Sequence, residues 1–296
     1  MQAAQPNFDN KPRSGVEIAK NTYAKIKQCE ENKLLEQIQL PLWTDDQRAV
    51  PNGILRSALF GAIQPGKRRY IDGEIIASVA GTELKYTGQS LDQDDLGVWE
   101  AVLHIARLKE LGNTCYVSTY KILHLLGLTD TGDNRKILYK RLTRLVATAI
   151  QLKQGRYNYI GGLITEASRD SITGQMAIVI NPKIIKLYQS DQYTNLHFEL
   201  CNKLQRPLAQ WLFRFYSTHA IPYPYTIATI HKLCGSNAKS LNDFKKDTLK
   251  NALDEVVRIS AMYGKNFSYV IKDGLLHVFK NGNAYFEKKL LSKSKQ

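Results

Sequence analysis

Cysteine is scarce and scattered in this chain of 296 residues. Its four copies, Cys29, Cys115, Cys201 and Cys234, form no Cys-x-x-Cys pair, which argues against a disulfide framework or a structural zinc site and suits a reducing cytoplasm. Long apolar runs are also missing. No stretch reaches the ~18 residues of a membrane span, and no basic-then-apolar signal opens the chain, so no membrane partner is expected. Acidic residues are in deficit, 27 Asp plus Glu against 41 Lys plus Arg, for a net charge of +14. That excess favours a polyanion, and nucleic acid fits it best.

A working nucleotide loop is absent as well. Gly61 to Lys67 spells Gly-x-x-x-x-Gly-Lys, but Arg68 stands where Ser or Thr would hold magnesium, and Arg69 to Gly73 reads as a turn into a strand. ATP binding is therefore rejected, and Lys67, Arg68 and Arg69 form a basic turn that is either phosphate-contacting or solvated. His104-Ile105-Ala106-Arg107 with Tyr139 downstream spells part of a tyrosine recombinase site. It lacks an upstream Arg in a recognisable context and stands only as a rival enzyme reading. No catalytic residue, metal site or cofactor is assigned.

What the chain does contain is a pair of helix-turn-helix patterns. In the second, Ile227, Ile230 and Leu233 share one helical side, Gly235 makes the corner, and Ser240 with Asp243 opens the next helix as a capping-box pattern. Stepping about 100° per residue puts Leu241, Phe244, Leu249, Ala252, Leu253 and Val256 on one face, with Asp243, Lys246, Asp247 and Lys250 opposite. Lys245 falls inside the apolar sector. Phe267 to Ile271 and Leu275 to Lys280 flank Asp273-Gly274, a hairpin signal. Helix, turn, helix and ribbon make a winged helix, whose second helix typically enters a DNA major groove. A bare packing motif with a solvated face is the alternative.

The first pattern lies upstream. Glu74 to Val79 and Thr82 to Thr87 read as a hairpin, and Asp92 to Glu110 as a helix with Val98, Trp99, Val102 and Ile105 inward. Ser118 then caps Thr119 to Leu126, Gly127 turns, and a helix runs from Arg135 to Ala149 with Leu138, Leu142, Leu145 and Ala149 as its apolar stripe. Lys136, Lys140 and Arg144 form a second stripe, joined by Arg135 and Arg141. Like charges at that spacing repel, so the stripe points to phosphates. Strand-like runs at Ala149 to Leu152, Tyr157 to Thr165 and Gln175 to Ile180 are assigned to the wing of this domain, with Arg169 near its tip. The expected fold class is α+β: two tandem winged-helix domains, 48–190 and 191–296, behind a flexible N-terminal segment, 1–47.

That segment contains a helical run, Glu17 to Gln37, ahead of Gln39-Leu40-Pro41-Leu42-Trp43. The pentapeptide resembles the linear motif by which replication proteins dock on the bacterial sliding clamp, with Leu42 and Trp43 for the pocket and Gln39 as polar anchor. Packing of Leu40, Leu42 and Trp43 on the chain's own domain is the plainer reading.

Many short runs together resemble the TrfA-type iteron-binding plasmid replication initiators. They are Pro51-Asn52, Arg56 to Phe60, Tyr86-Thr87-Gly88, Asp94-Asp95, Val98-Trp99, Arg144-Leu145, Ala147 to Ala149, Tyr193-Thr194, Pro222-Tyr223-Pro224 and Leu233 to Ser236. The resemblance spans about residue 39 to 280 and puts the clamp peptide at Gln39 to Trp43, where Pro41 and Trp43 depart from the usual Ser and Phe. It implies a cytoplasmic, plasmid-associated, non-enzymatic protein that binds direct repeats (iterons) in double-stranded origin DNA, helps open the origin, and recruits the host initiator, helicase and clamp. It also implies dimers paired through the first domain. Ser236, Asn237, Lys239, Lys246 and Lys250 would serve one half of each repeat, and Arg135, Lys136, Lys140, Arg141 and Arg144 the other. Whether single-stranded origin DNA is bound too stays open. A winged-helix transcription regulator with no replication role is the alternative from a different class.

Overall fold

The computed structural model describes residues 15–36, 39–63, 68–79, 81–110, 112–154, 157–238 and 240–280. The chain divides into two units at 37/38. The first carries helix α1 (Gly15–Glu36), on which Val16, Tyr23 and Ile26 are exposed.

The second unit holds everything else. It opens with β1 (Gln47–Pro51), the single turn α2 (Asn52–Leu55) and β2 (Phe60–Gly61). The expected hairpin is present as β3 (Tyr70–Ile76) and β4 (Thr82–Gln89), paired antiparallel, with its first strand running four residues earlier than Glu74 to Val79. Next come β5 (Leu91–Asp92), parallel to β2, and α3 (Gln93–Ala106). Asp92 and Asp95 close a complete capping box at the start of α3, each side chain accepting from the other's backbone N–H.

The first helix-turn-helix follows as β6 (Cys115–Ser118), α4 (Thr119–Leu125) and α5 (Gly132–Val146). Ser118 caps α4 by accepting from Lys121 N at 3.2 Å. Beyond lie β7 (Ala149–Gln154), β8 (Tyr157–Gly161), β9 (Ile164–Arg169), β10 (Gln175–Ile180) and a 3-10 helix, Pro182–Asp191. The second half comprises β11 (Tyr193–His197), α6 (Phe198–Lys203), α7 (Pro207–Ser217), β12 (Tyr225–Thr226), α8 (Ile227–Leu233) and α9 (Leu241–Asp243). A π-helical turn, Phe244–Leu249, leads without a break into α10 (Lys250–Met262), and β13 (Phe267–Lys272) with β14 (Leu275–Lys280) closes the described chain.

The two halves repeat one topology. Each helix-turn-helix abuts an antiparallel sheet in which the strand before its first helix pairs with the last strand of the hairpin, in the orders β6-β10-β9 and β12-β14-β13. Both corners turn through a glycine in the left-handed region, Gly127 at φ 69° and Gly235 at φ 61°, a conformation that penalises any Cβ. The hairpin turn at Asp273 and Gly274 has φ of 51° and 74°, the sign an Asp-Gly two-residue turn requires.

One expectation fails here. Ala149 to Leu152 and the strand from Tyr157 do not belong to the first hairpin; β7 and β8 join β3 and β4 in a four-stranded sheet, β3-β4-β7-β8. Ile150 and Leu152 lie opposite Tyr86 and Leu84, and all four are buried, so a shared apolar face recruits β7 to a strand far upstream. Only β9 and β10 form the hairpin of the first half.

The halves are joined tightly. β1 pairs with β11 along its length, from Gln47 opposite His197 to Pro51 opposite Tyr193. Arg56 donates to the Thr218 hydroxyl at 2.8 Å and to the Thr218 carbonyl, and Trp211 Nε1 donates to the Ser57 carbonyl at 3.4 Å. The segment after β1 is thus wedged against α7.

Candidate nucleic-acid interface

On α5 three of the four expected apolar positions are buried, Leu138, Leu142 and Leu145; the helix ends at Val146, and Ala149 is an exposed residue of β7. The polar faces are not uniformly open. Lys136 and Lys140 are exposed, and Lys136 makes only a loose surface pair with Asp133 at 3.6 Å. Arg135 forks onto Asp130 at 2.6 and 2.7 Å, on the surface. Arg141 reaches Asp94 at the N-terminus of α3.

Arg144 is the correction. Instead of extending the lysine stripe toward phosphates, it donates to Asp95 at 2.6 Å, and Asp95 is wholly buried. Residues spaced by four drift about 40° per step on a 3.6-residue helix, so two steps carry Arg144 about 80° away from Lys136. Arg68 donates to the same Asp95 at 2.9 Å and also to Asp92, so the basic turn of Arg68 and Arg69 is neither open to phosphate nor simply solvated at Arg68. Arg69 pairs with Glu74 on the surface. Gln64 to Lys67 lie outside the described residues. Burial and the neighbouring Asp95 push the Asp92 carboxyl up to about 6 even with Arg68 beside it.

In the second half the candidate surface is more open. Lys246 and Lys250 are exposed, as is Asn237 in the corner loop. Ser236 is half-buried and its hydroxyl accepts from Ala238 N at 3.2 Å, so it shapes the loop. Lys239 lies outside the described residues. Ser240 caps α9, accepting from Asn242 N at 3.2 Å and Asp243 N at 3.4 Å.

The π turn explains a residue that the sequence misassigned. Phe244 and Leu249 are both fully buried, although a regular helix would separate them by more than a third of a turn. The wider turn takes in one extra residue, keeps both side chains on the core side and moves Lys245 out of the apolar sector to an exposed position.

The peptide expected to be free for a clamp is largely packed. Leu40 and Trp43 are buried, and Leu42 alone of the three is open, at 72% exposure. Trp43 Nε1 donates to His104 Nδ1 at 3.2 Å, Arg107 Nε donates to the Trp43 carbonyl at 3.1 Å, and Arg107 also pairs with Asp45. Gln39 forms a bridge with Glu110, and its side chain donates to the Arg107 carbonyl at 3.4 Å. Burial, with Arg48 and Arg107 near, pushes His104 down to about 3, so its imidazole stays neutral and free to accept from the indole. His104 and Arg107 are occupied here, whereas Tyr139 touches Thr119 at 3.2 Å and lies under Arg169 at 5.1 Å. His104 and Arg107 thus share Trp43 and Asp45, and Tyr139 has different partners.

The sequence profile of the TrfA protein family matches residues 13–279. The plasmid replication initiator protein TrfA of Escherichia coli is 28% identical over 238 residues, covering 77% of this chain and 61% of that protein. Replication protein RepA of Salmonella typhi is 24% identical over 232 residues, covering 71% of this chain and 66% of its own length. The chain thus spans less than two thirds of either relative. Among solved structures, the Pi initiator protein in complex with iteron DNA is similar at a TM-score of 0.51 and 12% identity, covering 82% of this chain and all of that one. Domains 2 and 3 of RctB are similar at 0.50 and 15%, covering 77% and 95%. At such identities the likeness is one of fold.

Proposed function

The chain belongs to the TrfA protein family, and from that premise we propose that it is a plasmid replication initiator that binds iteron DNA. Each helix-turn-helix with its three-stranded sheet is read as a winged helix, the first within 48–190 and the second within 191–296. The observation that carries the reading is that this arrangement occurs twice, each time with two exposed lysines spaced by four on the second helix: Lys136 and Lys140, then Lys246 and Lys250. Side chains at that spacing share a helix face, and a cationic face beside a hairpin suits a major groove flanked by phosphates. Asn237 adds a polar side chain at the second corner, able to pair with a base edge.

The same proposal includes opening of an AT-rich segment, recruitment of the host initiator, helicase and sliding clamp, and a dimer paired through the first half. Clamp docking through Gln39 to Trp43 carries a condition, since Leu40 and Trp43 must leave the core before a partner can take them. The direct test is a nuclease footprint of the purified chain on its own plasmid's origin. Protection over each direct repeat is expected, with loss on scrambled repeats. Protection of a promoter alone, with plasmid maintenance unaffected by loss of the chain, would mark a transcription regulator instead.

A further inference from the structure

We infer that Lys245 is a DNA-phosphate contact, delivered to the duplex by the π-helical turn Phe244–Leu249; the inference rests on the DNA-binding reading above.

In a regular helix Lys245, four places before Leu249, would fall at the centre of the buried face with Leu249, Ala252, Leu253 and Val256, and Phe244 at the edge of that face. The structure differs. Phe244 is fully buried and stacks edge-on against His231 of α8 at 4.8 Å, whereas Lys245 is exposed. A single wide turn produces this arrangement, and such turns are frequent at functional sites.

Lys245, Lys246 and Lys250 are all exposed within one turn and a half of the second helix of the repeat, with Asp243 and Asp247 exposed beside them. Mutual repulsion of such a cluster is relieved when a phosphate chain lies across it. A lysine is a flexible point charge, so the contact assigned is electrostatic and independent of base sequence.

The test measures the salt dependence of duplex binding for the whole chain and for Lys245→Gln, Lys245→Arg, Lys246→Gln and, as a remote surface control, Lys265→Gln. For Lys245→Gln, the slope of log affinity against log salt should fall by ~0.9, one phosphate contact's share, with equal loss on repeat-bearing and unrelated duplexes. Lys245→Arg should retain the slope, and Lys265→Gln should leave it unchanged. A Lys245→Gln slope equal to that of the unaltered chain, with Lys246→Gln still reducing it, overturns the inference and makes the turn a packing device. A loss confined to repeat DNA overturns it too, since that marks a base contact. If the unaltered chain binds no duplex at all, the underlying reading fails first and takes the inference with it.

Discussion

Arg214 on α7 and Glu100 on α3 lie face to face in the core, Nε to Oε1 at 3.0 Å and Nη2 to Oε2 at 2.9 Å, with both side chains all but sealed from solvent. Gln93 accepts from the remaining Nη1 at 3.0 Å. This pair ties the second half of the molecule to the first. Replacing Arg214 by Met leaves Glu100 charged and unpaired, which is expected to cost about 3–5 kcal/mol of unfolding free energy. Adding Glu100→Leu to Arg214→Met should recover much of that loss. Urea titration of both variants decides it, and a single-variant cost below about 1 kcal/mol, the range of exposed pairs, would show the pair to be dispensable.

Lys136 and Lys140 should act on DNA, and Arg144 on the fold. The double variant Lys136→Gln with Lys140→Gln is expected to lower the salt slope of duplex binding by ~1.8, two phosphate contacts' worth, with unchanged thermal unfolding. Arg144→Gln should leave the slope alone and cost ~1–3 kcal/mol of stability, because Asp95 loses a charged partner in the core. A slope change in Arg144→Gln would return that residue to the DNA surface.

His104 gives stability a direction with pH. Its folded value, about 3, lies below its ordinary 6.5, so the neutral form is favoured in the fold and the unfolded chain takes up the proton first as pH falls. That contribution is complete above pH 6.5 and is lost progressively from there down to about 3. Between pH 7 and pH 5 it amounts to about 2 kcal/mol. Asp92 acts in the opposite sense, its stabilisation waning as pH rises from 3.8 to about 6. His104→Gln isolates the first effect, because Asp92 is common to both proteins. Its urea midpoint should decline less than that of the unaltered chain between pH 7 and pH 5. Parallel declines would refute the assignment.

Leu42 and Trp43 are adjacent but should behave differently. Trp43→Ala is expected to cost about 3–5 kcal/mol, as for any large core side chain. Leu42→Ala should stay within about 0.5 kcal/mol, as for an ordinary surface position. Only Leu42→Ala therefore tests clamp capture cleanly: loss of pull-down by that variant supports the docking proposal, and undiminished capture removes it.

Local signals were legible where the responsible residues are close together. Gly127 and Gly235 at the corners, Ser118 and Ser240 as caps, and Asp273-Gly274 in the hairpin each act over a few residues, and each was found where its chemistry placed it. Three features were not legible. Arg144 looked free because its acid, Asp95, is 49 residues away in sequence. Lys245 was misassigned because a wheel with a fixed 100° step has no provision for a wider turn, although a lysine inside the apolar sector was itself the sign of one. β7 was given to the wrong sheet because its alternation fits any apolar face, and only the partner strand decides which.

The strand pairing of Gln47–Pro51 with Tyr193–His197 bears on how the molecule can be dissected. A cut at 190/191 looks natural from the repeated topology, yet it separates two hydrogen-bonded neighbours and leaves each fragment with a raw backbone edge, the kind that recruits other chains. Anyone seeking the DNA contribution of either half will do better to silence its lysines within the intact protein than to express it alone.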